Sequence, residues 1–138
     1  MKALRFYSTL ALAALTGALV GTAAHAAPAS ANVQHGQEIY SRCFACHALD
    51  RDRTGPRHCG LFGRKAGSVP GFEYSDAMKK SGIVWNDKTL ARFLTDPAKM
   101  VPGTSMGYAG VKDAQERIDL LAYLKQAGQD EKLCPKPH

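Results

Sequence analysis

Past residue 20 this sequence has no apolar run of the roughly 20 residues that a bilayer span needs, and nowhere does it carry five or more lysines and arginines in a row. The first absence argues against stable insertion of the main body of the chain in a membrane. The second argues against a dedicated nucleic-acid face, because the basic residues are scattered among acids. Little of the chain alternates apolar with polar residues as a strand does, so a sheet-based fold is not expected. Cysteine is scarce at four residues, too few and too scattered for two zinc-ligand pairs. At 138 residues the chain has one domain's worth of material, with no separate output domain of the kind a sensor carries.

What is present begins with an export pattern. Lys2 and Arg5 precede an apolar stretch from Phe6 to Val20, and Ala24-His25-Ala26 supplies a small-x-small cleavage site. Residues 1–26 are therefore expected to be a signal peptide cleaved near Ala26, leaving a domain over residues 27–138. For a bacterial source the destination is the periplasm, where a soluble monomer is expected. Cleavage removes two cations and lowers the formal charge from +6 to +4, a diffuse positive field suited to steering acidic protein partners.

The remaining chain shows short helical patterns separated by long glycine- and proline-rich connections. The spacing predicts a first helix over Val33 to Arg42, a short one over Asp76 to Lys80 capped by Ser75, and one starting at Asn86 or Asp87 that Pro97 ends. The clearest is the last, where Asp113 and Glu116 form a capping-box pattern ahead of Ile118, Leu120, Leu121, Tyr123 and Leu124, and Gly128 stops it. Between Asp50 and Tyr74, Gly55, Pro56, Gly60, Gly63 and Gly67 punctuate a connection too long to be structureless in a compact domain. Either it is disordered or a large flat apolar cofactor packs it.

Cys43-Phe44-Ala45-Cys46-His47 supplies that cofactor, since C-x-x-C-H reads as a c-type haem attachment site. Two intervening residues let the thiols reach the two vinyl groups of one haem, and the adjacent His presents its imidazole to the iron. A thioredoxin-like redox pair would want a strand and a βαβ context, and half a zinc site would want a second pair, whereas Cys59 and Cys134 are lone residues far apart.

From Val33 to Ala127 the sequence resembles class I cytochrome c of the mitochondrial and short bacterial type. The resemblance rests on Gly36-x-x-x-Tyr40, Thr54-Gly55-Pro56, Gly60-Leu61-Phe62-Gly63-Arg64-Lys65, Gly71-Phe72-x-Tyr74-Ser75, Gly82-Ile83-x-Trp85, Thr89-Leu90, Pro102-Gly103-Thr104-x-Met106 and Arg117-x-Asp119-Leu120-x-Ala122-Tyr123-Leu124, all in order. It implies an all-α fold, a few helices and long loops wrapped around one haem c bound covalently through Cys43 and Cys46. It implies His47 and Met106 as axial metal ligands, with the Pro56 carbonyl orienting His47 and with Arg64, Tyr74 and Trp85 around the haem propionates. The implied function is one-electron transfer between donor and acceptor redox proteins in transient, partly electrostatic complexes. The chain is thus expected not to be an enzyme. A haem peroxidase would need an open iron position and a distal acid-base residue, and a redox sensor an output domain. Gly36, Tyr40 and the Tyr123 region mark where the first and last helices cross.

The sequence also departs from that family. Phe93 stands where a tyrosine contacting the methionine sulfur is frequent, and Met78 where asparagine is common. Ala98 and Ser105 replace lysines of the exposed haem edge, leaving Lys79, Lys80, Lys99 and Lys112 as candidates for a weaker basic rim. Cys59 and Cys134 are extra, and in an oxidising compartment they are expected to pair. His58 occupies the place of a haem-packing leucine and reads as a partly exposed loop histidine, or as an alternative ligand should the Met106 loop open.

Overall fold

A computed structural model describes residues 30–136; the expected signal peptide lies outside the described residues. The architecture is all-α. Five helices, α1 (Val33–Tyr40), α2 (Asp76–Lys80), α3 (Asp87–Thr95), α4 (Pro97–Met100) and α5 (Ala114–Ala127), are joined by long ordered loops. One isolated antiparallel bridge, Lys65 to Val84, ties the loop before α2 to the segment after it.

The helix starts follow local chemistry. The Asn32 side chain accepts from the His35 N–H at the head of α1, and Ser75 does the same for Met78 at α2, satisfying amides that have no partner within the helix. The first helix stops two residues before the expected Arg42. Its α-helical turns end at Tyr40 and a 3-10 turn over Ser41–Cys43 takes over, because the Ser41 hydroxyl donates back to the Glu38 carbonyl at 2.6 Å and the chain then tightens into the motif. At α5 Asp113 caps the Glu116 N–H at 2.8 Å, but the Glu116 carboxylate is taken in a bidentate pair by Arg42, at 2.7 and 2.8 Å. The reciprocal capping box forms instead at α3, between Asn86 and Thr89.

The core sits where α1 crosses α5. Ile39 and Tyr40 from α1 meet Leu120, Tyr123 and Leu124 from α5, all buried, and the Tyr40 and Tyr123 rings lie 5.3 Å apart. Gly36 makes the crossing possible, since a Cβ there would fall 2.0 Å from the Asp119 carbonyl oxygen.

Asp119, 2 % exposed, clamps the same crossing. It accepts from the Asn32 N–H and the Gln115 amide at 2.8 Å each, and from His35 Nδ1 at 2.7 Å. The bond to Asp119 raises His35 above its usual 6.5. That contribution to stability is complete below 6.5 and is lost as pH rises through the raised folded value. The Asn32 N–H, then His35, hold Asp119 below its usual 3.8, so its contribution is present above 3.8 and lost as pH falls through the depressed value. The thermal midpoint is therefore expected to fall from about pH 6 to about pH 8 more steeply in the wild type than in His35→Gln. Parallel curves for the two proteins would remove His35 from the clamp.

Candidate functional site

The loops and helices enclose a cavity of about 450 Å³. Its walls are apolar where α3 and α5 face it, through Leu90, Phe93, Leu94, Leu120 and Leu124. All eight residues singled out from the sequence line this one cavity: Cys43, Cys46, His47 and Pro56 from the motif and the loop after it, Arg64, Tyr74 and Trp85 from the middle of the chain, and Met106 from the loop after α4.

The motif is wound into a turn by the N–H groups of Cys46 and His47, which both donate to the Cys43 carbonyl at 3.1 and 2.9 Å. Cys43 is half-buried and Cys46 exposed. Burial pushes the Cys43 thiol up to about 11, opposite to the depressed value of a thiol that does disulfide exchange. Among the described residues no three His, Cys, Asp or Glu side chains gather to hold a metal ion. Neither the βαβ context of a thioredoxin-like pair nor a second ligand pair for zinc is present among the described residues.

His47 has one ring nitrogen held and the other unpartnered by that hold. Its Nδ1 lies 2.7 Å from the Pro56 carbonyl, an acceptor only, so Nδ1 carries the proton and donates. Burial lowers the pKa of the ring against the opposing effect of that bond, and the imidazole is neutral at pH 7. Nε2 is then left with a free lone pair, and its direction is set by the carbonyl that holds the other nitrogen. Gly55 is required beside it, because a Cβ there would fall 2.3 Å from the His47 Cε1. The Gly55 N–H is tied to the Cys46 carbonyl at 2.7 Å, so loop and motif move as one.

Met106 is positioned by its own loop. The Thr104 N–H donates to the Val101 carbonyl at 3.0 Å, and the Met106 N–H to the Thr104 hydroxyl at 3.3 Å. The Arg64 guanidinium donates to the Arg57 and Cys59 carbonyls at 2.8 and 3.0 Å, so it organises the loop as well as facing the cavity. Trp85 packs 5.1 Å from Phe93, and Tyr74 edge-on to Phe72 at 4.7 Å. Met78 and Phe93, the two apolar departures noted in the sequence, are both buried in the cavity wall.

At two residues the structure supplies contacts that the sequence did not show. Gly55 reads there as loop punctuation, although its contact with His47 is what requires it. His58 is a half-buried loop residue, in line with the partial exposure expected of it, and the structure adds its contacts. Its ring stacks on His47 at 4.3 Å and 22°, and its Nδ1 lies 3.0 Å from the Tyr40 hydroxyl. Burial first, then His47 and Arg64, push its pKa down to about 3. Its ring lies beside His47 as that ring's neighbour.

These residues fit a c-type haem: two thiols beside a lone-pair-bearing imidazole, a thioether on a separate loop, and apolar walls between. A family model described as cytochrome c matches residues 33–128. Cytochrome c2 of Blastochloris viridis is 43 % identical over 112 residues, 78 % of this chain and 88 % of that protein. Cytochrome c of Gibberella zeae is 45 % identical over 103 residues, 72 % and 97 % of the two chains. The solved structure of cytochrome cH from Methylobacterium extorquens superposes with a TM-score of 0.67 at 40 % identity, covering 69 % of this chain and 98 % of that one. The family match over residues 33–128 takes in every stretch that lines the cavity, and with relatives above 40 % identity the chain belongs to the cytochrome c family.

Proposed function

We propose that the chain is a one-electron carrier that holds a single haem c through thioether bonds from Cys43 and Cys46, with His47 and Met106 as its axial ligands. It is an electron-transfer protein, not an enzyme. The observation that carries the reading is the His47 tautomer: Pro56 holds the proton on Nδ1 and leaves Nε2 bare at the cavity. Bound there, haem c supplies a one-electron ferric/ferrous couple. The protein's part is to hold both ligands so that neither has to move when charge changes. His47 is held by Pro56 and Gly55, and Met106 by the Thr104 turn. Apolar walls from α3 and α5 keep the surroundings of low polarity, and the thioether favours the reduced state. The test is Met106→Ala, which is expected to abolish the sulfur-to-iron charge-transfer band of the oxidised protein and to lower its reduction potential. An unaltered absorption spectrum would end the assignment.

Arg64, Tyr74 and Trp85 would serve the propionates. Buried carboxylates need donors or a cation, and all three residues line the cavity. The partners are redox proteins met transiently. Lys79 and Lys80 stand 3.5 and 3.7 Å from Asp76, and Lys112 3.8 Å from Asp96, so local acids already balance much of the candidate rim. What attraction remains between exposed charges is screened beyond roughly 8 Å at physiological salt, so complexes would be weak and salt-sensitive. No helix among the described residues is long and apolar enough to cross a membrane.

Residues 1–26 would direct export and be removed, placing residues 27–138 in the periplasm as a monomer. There Cys59 and Cys134 would be bonded, a reading supported by their Cα separation of 5.4 Å, inside the range disulfides occupy. Closing a 75-residue separation stabilises by about 4 kcal/mol in the chain-entropy model. Mass spectrometry of unreduced, alkylated holoprotein is expected to find no free thiol; two alkylated cysteines would refute the bridge.

A further inference from the structure

His47 is gripped at one atom by Pro56, and one hydrogen bond at Nδ1 leaves the ring free to swing about that contact. The remaining freedom is limited by what lies against its plane. On the motif side that is the Gly55 backbone. The other close partner is the His58 ring, nearly parallel at 22° and 4.3 Å away. His58 is itself fixed at three points. Its N–H donates to the Ala48 and Leu49 carbonyls at 3.2 and 3.1 Å, its carbonyl accepts from the Leu61 N–H at 2.9 Å, and its Nδ1 pairs with the Tyr40 hydroxyl. Tyr40 is fully buried in α1, edge-on to Phe44 of the motif at 5.1 Å and 5.3 Å from Tyr123 of α5.

We propose that His58, oriented by the Tyr40 hydroxyl, is a positioning residue that sets the plane of the His47 imidazole, so that the α1–α5 crossing controls the orientation of that ligand. The proposal rests on His47 being the axial ligand. A side chain that only filled space could be aliphatic, and it would need no hydrogen bond to hold its rotation. This ring has such a bond, made by a tyrosine with no exposed surface whose hydroxyl would otherwise need another partner. A flat ring held in one rotation constrains the plane it stacks on, which an aliphatic side chain of similar volume does not.

The plane of an axial imidazole governs how unpaired spin spreads over the haem in the oxidised protein, and so the order and spacing of the hyperfine-shifted haem methyl resonances. In haem-loaded protein, His58→Leu is expected to reorder or compress that pattern, and Tyr40→Phe to move it in the same direction. The double variant should change no more than His58→Leu alone, because both act through one contact. A wild-type pattern in either single variant overturns the proposal. Tyr40→Phe removes a single oxygen and keeps the ring, so it decides the matter even if His58→Leu does not accumulate. The prior reading fails differently: if His47 is not the ligand, wild-type protein itself shows no low-spin haem spectrum, and no variant is needed to see it.

Discussion

With Cys43 and Cys46 both replaced by alanine, the protein is expected to be colourless and largely unfolded. The magnitude follows from the cavity. Its volume of about 450 Å³, left unfilled, would cost on the order of 10 kcal/mol at about 24 cal/mol per Å³, as much as the whole stability of a typical domain. Buried residues from separate parts of the chain, Leu61, Trp85, Phe93 and Leu120 among them, form its walls and would lose a shared neighbour at once. Helix propensity does not rescue the chain. Four of the five helices among the described residues have nine residues or fewer, below the roughly 12 to 15 at which an isolated helix becomes even marginal in water. Far-UV circular dichroism together with the visible spectrum reads both parts of the expectation. A colourless variant that still unfolds cooperatively would show that the polypeptide makes its own core.

Gly36→Ala is expected to destabilise the haem-loaded protein by about 1–3 kcal/mol or more, the range for overpacking a tight contact. The new methyl carbon would stand 2.0 Å from the Asp119 carbonyl oxygen, 2.5 Å from its carbonyl carbon and 2.9 Å from the Tyr123 Cβ. Two of these atoms are backbone and the third is bonded to it, so no rotamer change relieves the clash. The helices would have to separate, pulling Tyr40 from Tyr123 and loosening the Asp119 clamp. The higher helix propensity of alanine, worth about 1 kcal/mol over glycine, offsets only part of this. The guanidinium midpoint at constant m-value measures it, and a midpoint equal to or above wild type would show that the crossing is not limited by Gly36.

Much of this site was legible before any coordinates. Cys43, Cys46 and His47 announce themselves by adjacency, and their chemistry depends on a spacing that the primary sequence displays directly. Met106, Pro56, Arg64, Tyr74 and Trp85 carry no such local signature; they were found through the resemblance, and the fold does gather them around one cavity. The helix starts were legible because caps are local, as at Ser75 and Asn86. The end of α1 and the fate of Glu116 were not. Arg42 lies 74 residues from Glu116 in sequence, and nothing local says that a capping glutamate will be claimed by a distant guanidinium.

The amino-acid order by itself determined the haem motif, the helical class, and the number of thiols available, since each depends on neighbours within a few positions. Only the tertiary structure decided that His58 stacks on His47, that Gly55 is a packing requirement rather than punctuation, and that Cys59 comes within bonding reach of Cys134. Those are contacts between chain segments whose distance in space is set by how α1 crosses α5 and how the loops close around the cavity, a geometry that pairwise spacing along a sequence does not encode.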